Sequence, residues 1–436
     1  MALFRKSISA LFVAAAVVGC SPSAAVKHAR LGDVPGLKHS LDDAAAAGKL
    51  DTAAMRDVGL ALIEHDLQRF SGDDGARRVD ALTACARPLR KLLQRTAEGN
   101  DAVAGAAASL LVDLHVVDVD AFLDKKDDPN ARFRAAGTRG LVGKKHADLR
   151  LARLHDDDRL VRIAATEAAG DSASDADVEA LLVVARKDPD PAVRASAVRA
   201  LAHAAPHVAS DTARGALVDA LRDLWVGNDD GLRASIARAF ASPALLPVGG
   251  RRELEAALSR EEGHATVEAA SALMGAGGDD GALILEKLAK TSGLAVKLHV
   301  FRLLDPQRPA HLELLTKAMA PAEKGAVDDV AARTLAAEML LRVPAEKDKA
   351  IAALVGLLTR EDKLGSEAAL ALAEVGDARA RPRLVKDLGV PSFLRYRAAS
   401  ALVRLGFAAE VRVLYATEDL EVRDSAACAV LAAPQG

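Results

Sequence analysis

One phrase recurs along this chain: an Asp or Asn, three residues, a basic residue, then small side chains and an apolar pair at fixed offsets. Its clearest copy runs from Asp190 through Val193, Arg194, Ala197, Ala200 and Leu201. The same frame fits Asp158 with Val161, Arg162 and Ala165, Asp229 with Leu232, Arg233 and Ile236, and Asp419 with Val422, Arg423 and Ala426. Weaker copies pair Asn130 with Arg134, Asp329 with Arg333 and Pro391 with Arg395, and degenerate ones centre on Ala104, Glu268, Lys297 and Gly365. These eleven copies, taken with a doubtful twelfth around Arg78, stand 26 to 39 residues apart. Such a period is that of a two-helix module that cannot bury both its faces alone and must stack on its neighbours.

The offsets say which side of each helix is buried. At 100° per residue, positions −1, +3, +6 and +7 from the basic residue share one face, while +1, +2 and +5 lie opposite. The −1 residue is apolar in every copy, from Val103 and Phe133 to Leu394 and Val422, and the +3 residue is usually small, as in Ala107, Gly137, Ala336, Ala368 and Ala398. The Asp or Asn four residues before the basic position stands where an N-cap belongs. A second amphipathic helix fills each gap, as from Asp175, Thr212 and Asp348, and Gly277-Gly278, Pro306 with Pro309, and Gly376 punctuate the units. Composition agrees: half of the 436 residues are apolar but only 3% are aromatic, which suits closely packed helices better than a sheet core. The expected fold is an all-α solenoid.

These residues resemble HEAT repeats of the short, roughly thirty-residue kind known from phycobilin lyases, over residues 99–434. The resemblance implies a curved superhelix about 100 Å long, with the second helix of each unit lining the concave face. It also implies that the recurrent acids and arginines brace neighbouring units. That role is carried onto Asp158, Asp190, Asp229, Asp329 and Asp419, and onto Arg162, Arg194, Arg233, Arg333 and Arg423, with interruptions at Glu268 and Gly365. Residues 26–98 read as helical but off-register, an N-terminal cap in which Asp33 and Asp51 start helices and Pro88 breaks one.

The amino terminus reads as an address. Arg5 and Lys6 precede a short apolar run from Leu11 to Val18, too short to span a bilayer. Val17-Val18-Gly19-Cys20 resembles the bacterial lipobox, which implies a signal peptide over 1–19 and a lipidated Cys20 followed by a linker over 20–25. Ser21 implies the outer membrane over the inner, with the body facing the periplasm or the cell exterior. Cys85 and Cys428 lie near opposite ends of the array among small apolar residues and read as buried free thiols.

No constellation for catalysis emerges: the sequence has no nucleophile elbow, His-Glu-x-x-His, paired Cys-x-x-Cys or phosphate-cradling glycine loop. His155 beside Asp156, Asp157 and Asp158, and His203 with His207, have metal-like spacing but stand at turns between units, so neither a metal nor a cofactor is expected. A formal net charge of −3 offers nothing to nucleic acid. The +5 position of the second helix gives Arg139, Arg199, Arg238 and Arg302, against Glu167 and Glu338, a candidate basic stripe for an acidic partner or a merely solvated face. Trp225 reads as an interface anchor or as packing between units. The function expected is therefore a non-enzymatic, lipid-anchored scaffold for protein partners. The alternatives are a ligand-binding or lyase-like HEAT protein and a purely structural envelope component.

Overall fold

The computed structural model describes residues 24–226, 229–260, 264–321 and 329–433. The signal peptide, Cys20 and most of the linker lie outside the described residues. Within them the chain is all-α, a HEAT-type solenoid of helical hairpins with no strand among the described residues.

The recurrent phrase marks the inner helix of each hairpin. In Arg159–Ser172 the residues at −1, +3, +6 and +7 from Arg162 are Val161, Ala165, Ala168 and Ala169, and all four are fully buried. Side chains this small let helices approach closely. A Cβ on Gly170 would lie 3.0 Å from the Cα of Ala200 on the next inner helix. The expected caps form at Asn130, Asp158, Asp190, Asp229, Asp329 and Asp419, each carboxylate or amide accepting from a free N–H in the first turn. At Ala104 the cap is Asp101, one residue later than expected, and Asp362 caps the unit around Gly365.

The inner helices run Thr52–Leu67, Gly72–Ala81, Ala102–Asp113, Ala131–Arg139, Arg159–Ser172, Pro191–Ala204, Asp230–Phe240, His264–Gly275, Leu294–Leu303, Val330–Leu340, Lys363–Glu374, Leu394–Arg404 and Leu420–Ala432. Each packs on the next, and the last packs on the first. The array is therefore a closed circuit and not the open curved rod implied by the resemblance. The reason lies in residues 24–67, where Ala24–Leu31 packs on both Val34–Ala46 and Thr52–Leu67 and completes a first hairpin whose two longer helices meet the C-terminal hairpin, outer helix on outer and inner on inner. Each end of the array thereby covers the apolar flank of the other, which an open solenoid must cap with polar residues.

The seam is well furnished. Tyr415 donates its hydroxyl hydrogen to the Met55 carbonyl at 3.1 Å, and Arg56 donates to the carbonyls of Val430, at 3.4 Å, and Ala433. Arg412 meets Asp42 at 3.0 Å, Arg78 meets Asp424 at 3.0 Å, and the buried Arg423 donates to Asp66 at 3.0 Å. Gly59 makes the approach possible, since a Cβ there would stand 2.6 Å from the Tyr415 hydroxyl.

Cys85 and Cys428 are joined in a disulfide, with their Cα atoms 5.2 Å apart across 343 residues of sequence. This corrects the expectation of free thiols. Distance along the chain was a poor guide to distance in space, because the circuit returns on itself. As expected, the helix ending at Ala81 and the one starting at Arg90 are separated around Pro88, and the intervening turn carries Cys85 to the seam.

Candidate binding face

The bracing between units uses a different acid from the one expected. Arg134 donates to Asp156 at 2.9 and 3.1 Å, and Arg162 to Asp188 at 2.8 and 3.2 Å, each reaching the next unit with its planar fork. The same guanidiniums also donate to carbonyls of their own turn, Asp128 and Pro129 for Arg134, and Asp156 and Asp157 for Arg162. In the Asp-x-Asp turns the first acid braces and the second caps. Asp156 accepts from Arg134 and from the Asp158 backbone N–H, while Asp158 accepts from Leu160 N–H. Burial pushes the Asp156 carboxyl up, but the bonds from Arg134 and the Asp158 N–H hold it below the ordinary value. The forked braces therefore belong to Asp156 and Asp188; Asp158 and Asp190 cap, and Asp190 also lies 3.6 Å from Arg159 of the preceding unit.

Later units vary. Arg194 donates to the carbonyls of Asp188 and Pro189 and lies 3.8 Å from Asp229. Arg233 donates to the Trp225 carbonyl, and Asp329, ahead of Arg333, caps its helix. Arg423, in the helix that Asp419 caps, takes Asp66 from the first hairpin.

A second set of charges lies on the inner face. Arg139 sits between Asp113 at 2.8 Å and Glu167 at 3.0 Å. Arg238 forms two 3.0 Å bonds to Glu268, which also lies 3.3 Å from His299, and Arg397 bonds Glu367 at 2.9 and 3.0 Å. Each pair joins neighbouring inner helices. The expected basic stripe is thus broken into units of alternating sign that neutralise each other. Arg199 and Arg302 are the exceptions: both are exposed, and among the described residues neither has a carboxylate within ion-pair distance. Glu338 sits in an acidic stretch. Burial, then Glu374 and Glu367, push its carboxyl above the ordinary value, while Arg302 and Arg397 oppose the rise.

Four consecutive inner helices enclose a groove of about 500 Å³ lined by Val112, Asp113, Arg139, Glu167, Arg199 and His203, among others. Both Arg139 and Arg199 from the candidate stripe face it. His203 pairs with Asp171 at 3.1 Å, Asp156 is engaged by Arg134 and Arg153, and no group of three His, Cys, Asp or Glu among the described residues is placed to hold a metal ion. Trp225 is nearly buried and stacks on Phe240, with ring centroids 6.5 Å apart, so it packs within the array. No helix among the described residues is long and apolar enough to cross a membrane.

Sequence reasoning missed two features. Arg150 and Asp177 form a fully buried pair with two 2.8 Å bonds, and Arg150 also donates to the carbonyls of Leu141 and Gly143. Ser174 with Asp177 is a capping box, a spacing visible in the sequence. The first hairpin also carries the recurrent phrase. Around Arg56 the offsets −1, +3, +6 and +7 are Met55, Gly59, Leu62 and Ile63, all buried, with the capping Asp51 five residues ahead instead of four.

A family model described as HEAT repeats matches residues 119–202. Among solved structures, an engineered protein is 24% identical, with 73% of this chain and 100% of that chain covered and a TM-score of 0.27. YibA of E. coli is 16% identical over 73% of this chain and 96% of its own, with a TM-score of 0.34. The karyopherin Kap121p, solved bound to the extreme C-terminus of the protein phosphatase Cdc14p, is 16% identical over 92% of this chain and 52% of its own, with a TM-score of 0.38. No curated protein matches the sequence.

Proposed function

We propose that this HEAT-repeat protein is an exported, lipid-anchored scaffold that gathers protein partners on the inner face of its closed array. The observation that carries the reading is the groove across four inner helices, lined in part by the exposed Arg199, which among the described residues has no carboxylate within ion-pair distance. The surrounding pairs, Arg139 with its two acids and Asp171 with His203, hold fixed polar positions that a protein surface can match. Nothing in the groove supplies a nucleophile with an activating base, so recognition is the chemistry it offers.

Two features support export. The basic residues, apolar run and Val17-to-Cys20 sequence have the layout of a lipoprotein signal. The Cys85–Cys428 disulfide suits an oxidising compartment and is out of place in a reducing cytosol. The body then hangs from Cys20 through a short linker, with the outer membrane preferred and the array facing the periplasm or the exterior.

Crosslinking of the full-length protein in its own envelope, followed by identification of the attached proteins, tests the scaffold. A reproducible partner is expected, lost when Arg199 is changed to Glu and kept when Arg379, an exposed arginine engaged by Asp377, is changed. A partner set indifferent to Arg199→Glu overturns the assignment to this groove. Metabolic labelling with a clickable fatty acid tests the anchor: label on the wild type and none on Cys20→Ala is expected, and an unlabelled wild type overturns it.

A further inference from the structure

Every inner helix of the circuit except one pair is joined to its neighbour by a short stretch of chain. The exception is the seam between Thr52–Leu67 and Leu420–Ala432, whose two faces come from opposite ends of the sequence. Leu420–Ala432 also touches the turn after Gly72–Ala81, so opening the seam separates the last hairpin from the first two, yet it unfolds no hairpin, because a solenoid is a row of units packed side by side.

The seam also differs in chemistry. Other inner contacts are built largely of Ala, Leu and Val, whereas this one buries Asp66, Arg423 and Asp424, with Arg78 at its edge. Asp66 and Asp424 bring two carboxyls together there, and burial, then the hydrogen bond and charge of Asp66, raise the Asp424 carboxyl. Buried ion pairs return little net stability after desolvation, and two carboxyls held side by side out of water oppose each other's ionisation. This interface carries the covalent link: Cys85 hangs from the turn after Gly72–Ala81, Cys428 lies within the closing helix, and both are essentially inaccessible to solvent.

We infer that the seam is a gate through which the closed array opens, and that the Cys85–Cys428 disulfide is its redox latch. With the latch reduced, the last hairpin parts from the first two and an extended partner reaches the inner face laterally. With it formed, that partner is retained. Closing the latch removes two protons and two electrons from the two thiols and passes them to the disulfide of a thiol–disulfide oxidant, which leaves as its dithiol. What enters rests on the scaffold reading above; the gate does not.

Because the disulfide is buried, a reductant meets it only when the seam opens, so its reduction rate reports opening. The test follows reduction of the oxidised mature protein in excess dithiothreitol by maleimide capture of the released thiols, under native conditions. Gly59→Ala places a methyl group against Tyr415 at the seam, and Gly170→Ala places one against Ala200 at a distant inner contact. The expected result is at least tenfold faster reduction in Gly59→Ala and a change under twofold in Gly170→Ala. Equal acceleration in both means that reduction follows global unfolding, and no acceleration in either means that the seam does not limit access; each overturns the gate.

Two measurements hold even if a glycine variant fails to fold. In the wild type, the urea dependence of the reduction rate should be much shallower than that of global unfolding, since one interface exposes little surface. Equal slopes overturn the gate. In Cys85→Ser/Cys428→Ser, amide exchange in Thr52–Leu67 and Leu420–Ala432 should rise tenfold or more while Arg159–Ser172 stays protected, and a uniform rise, or none, overturns the latch. A missing partner in the crosslinking experiment leaves all of these readouts unaffected, so the two proposals fail separately.

Discussion

At the residue scale, the buried charges differ in how fully their surroundings satisfy them. Arg150 and Asp177 satisfy each other fully, so Asp177→Asn leaves a guanidinium buried against a weakened acceptor. We expect a loss of about 3–5 kcal/mol, measured by urea denaturation. Asp424 is the opposite case: burial, then the neighbouring Asp66, push its carboxyl up to about 8, against the pull of Arg78 and Arg423. A carboxyl raised in the folded state holds its proton better there than in the unfolded chain. Its contribution is complete below the ordinary value of 3.8 and is lost as pH rises through about 8. The melting temperature of the wild type should therefore fall from about pH 5 to about pH 8, and Asp424→Asn should flatten that fall. An unchanged pH profile in Asp424→Asn counts against the assignment.

At the element scale, the Asp-x-Asp turn divides two tasks that the sequence had merged. Asp158→Ala removes a cap and should cost about 1 kcal/mol. Asp156→Ala strips the brace from a largely buried Arg134 and should cost more, about 2 kcal/mol. Equilibrium unfolding of the two variants gives the order, and a costlier cap than brace contradicts the division. Much of this level was legible: the −1, +3, +6 and +7 offsets named the buried face, and the capping acids at Asp158, Asp190, Asp229, Asp329 and Asp419 stand where expected. The bracing acids were not, because an Asp two residues before a cap looks like any polar turn residue until the next unit is stacked on it. The hairpin around Arg56 escaped because its cap is offset by one position. The inner-face arginines were legible as positions but not as charges, since Glu167 and Glu268 come from adjacent helices some thirty residues away.

At the scale of the whole molecule, closure was beyond the reach of pattern. It depends on the small rotation added by each unit and on the sum returning to its start, a quantity that no single repeat displays. The disulfide then ties together nearly the whole chain in the unfolded state. In the chain-entropy account, a loop of this size is worth about 6 kcal/mol. Cys85→Ser/Cys428→Ser should accordingly melt well below the oxidised wild type while keeping its helical circular dichroism, and equal melting temperatures would contradict that account.

Closure also makes the number of units a fixed integer. An open superhelix tolerates the gain or loss of one repeat by growing or shrinking, but here removal of a unit leaves a gap that the remaining rotations cannot fill. Excising 159–190 joins Asp158 directly to Pro191 and keeps the local cap-and-helix grammar intact, yet it should leave both cysteines unpaired. A chain of this design can therefore diverge side chain by side chain but not by slippage of its own copies.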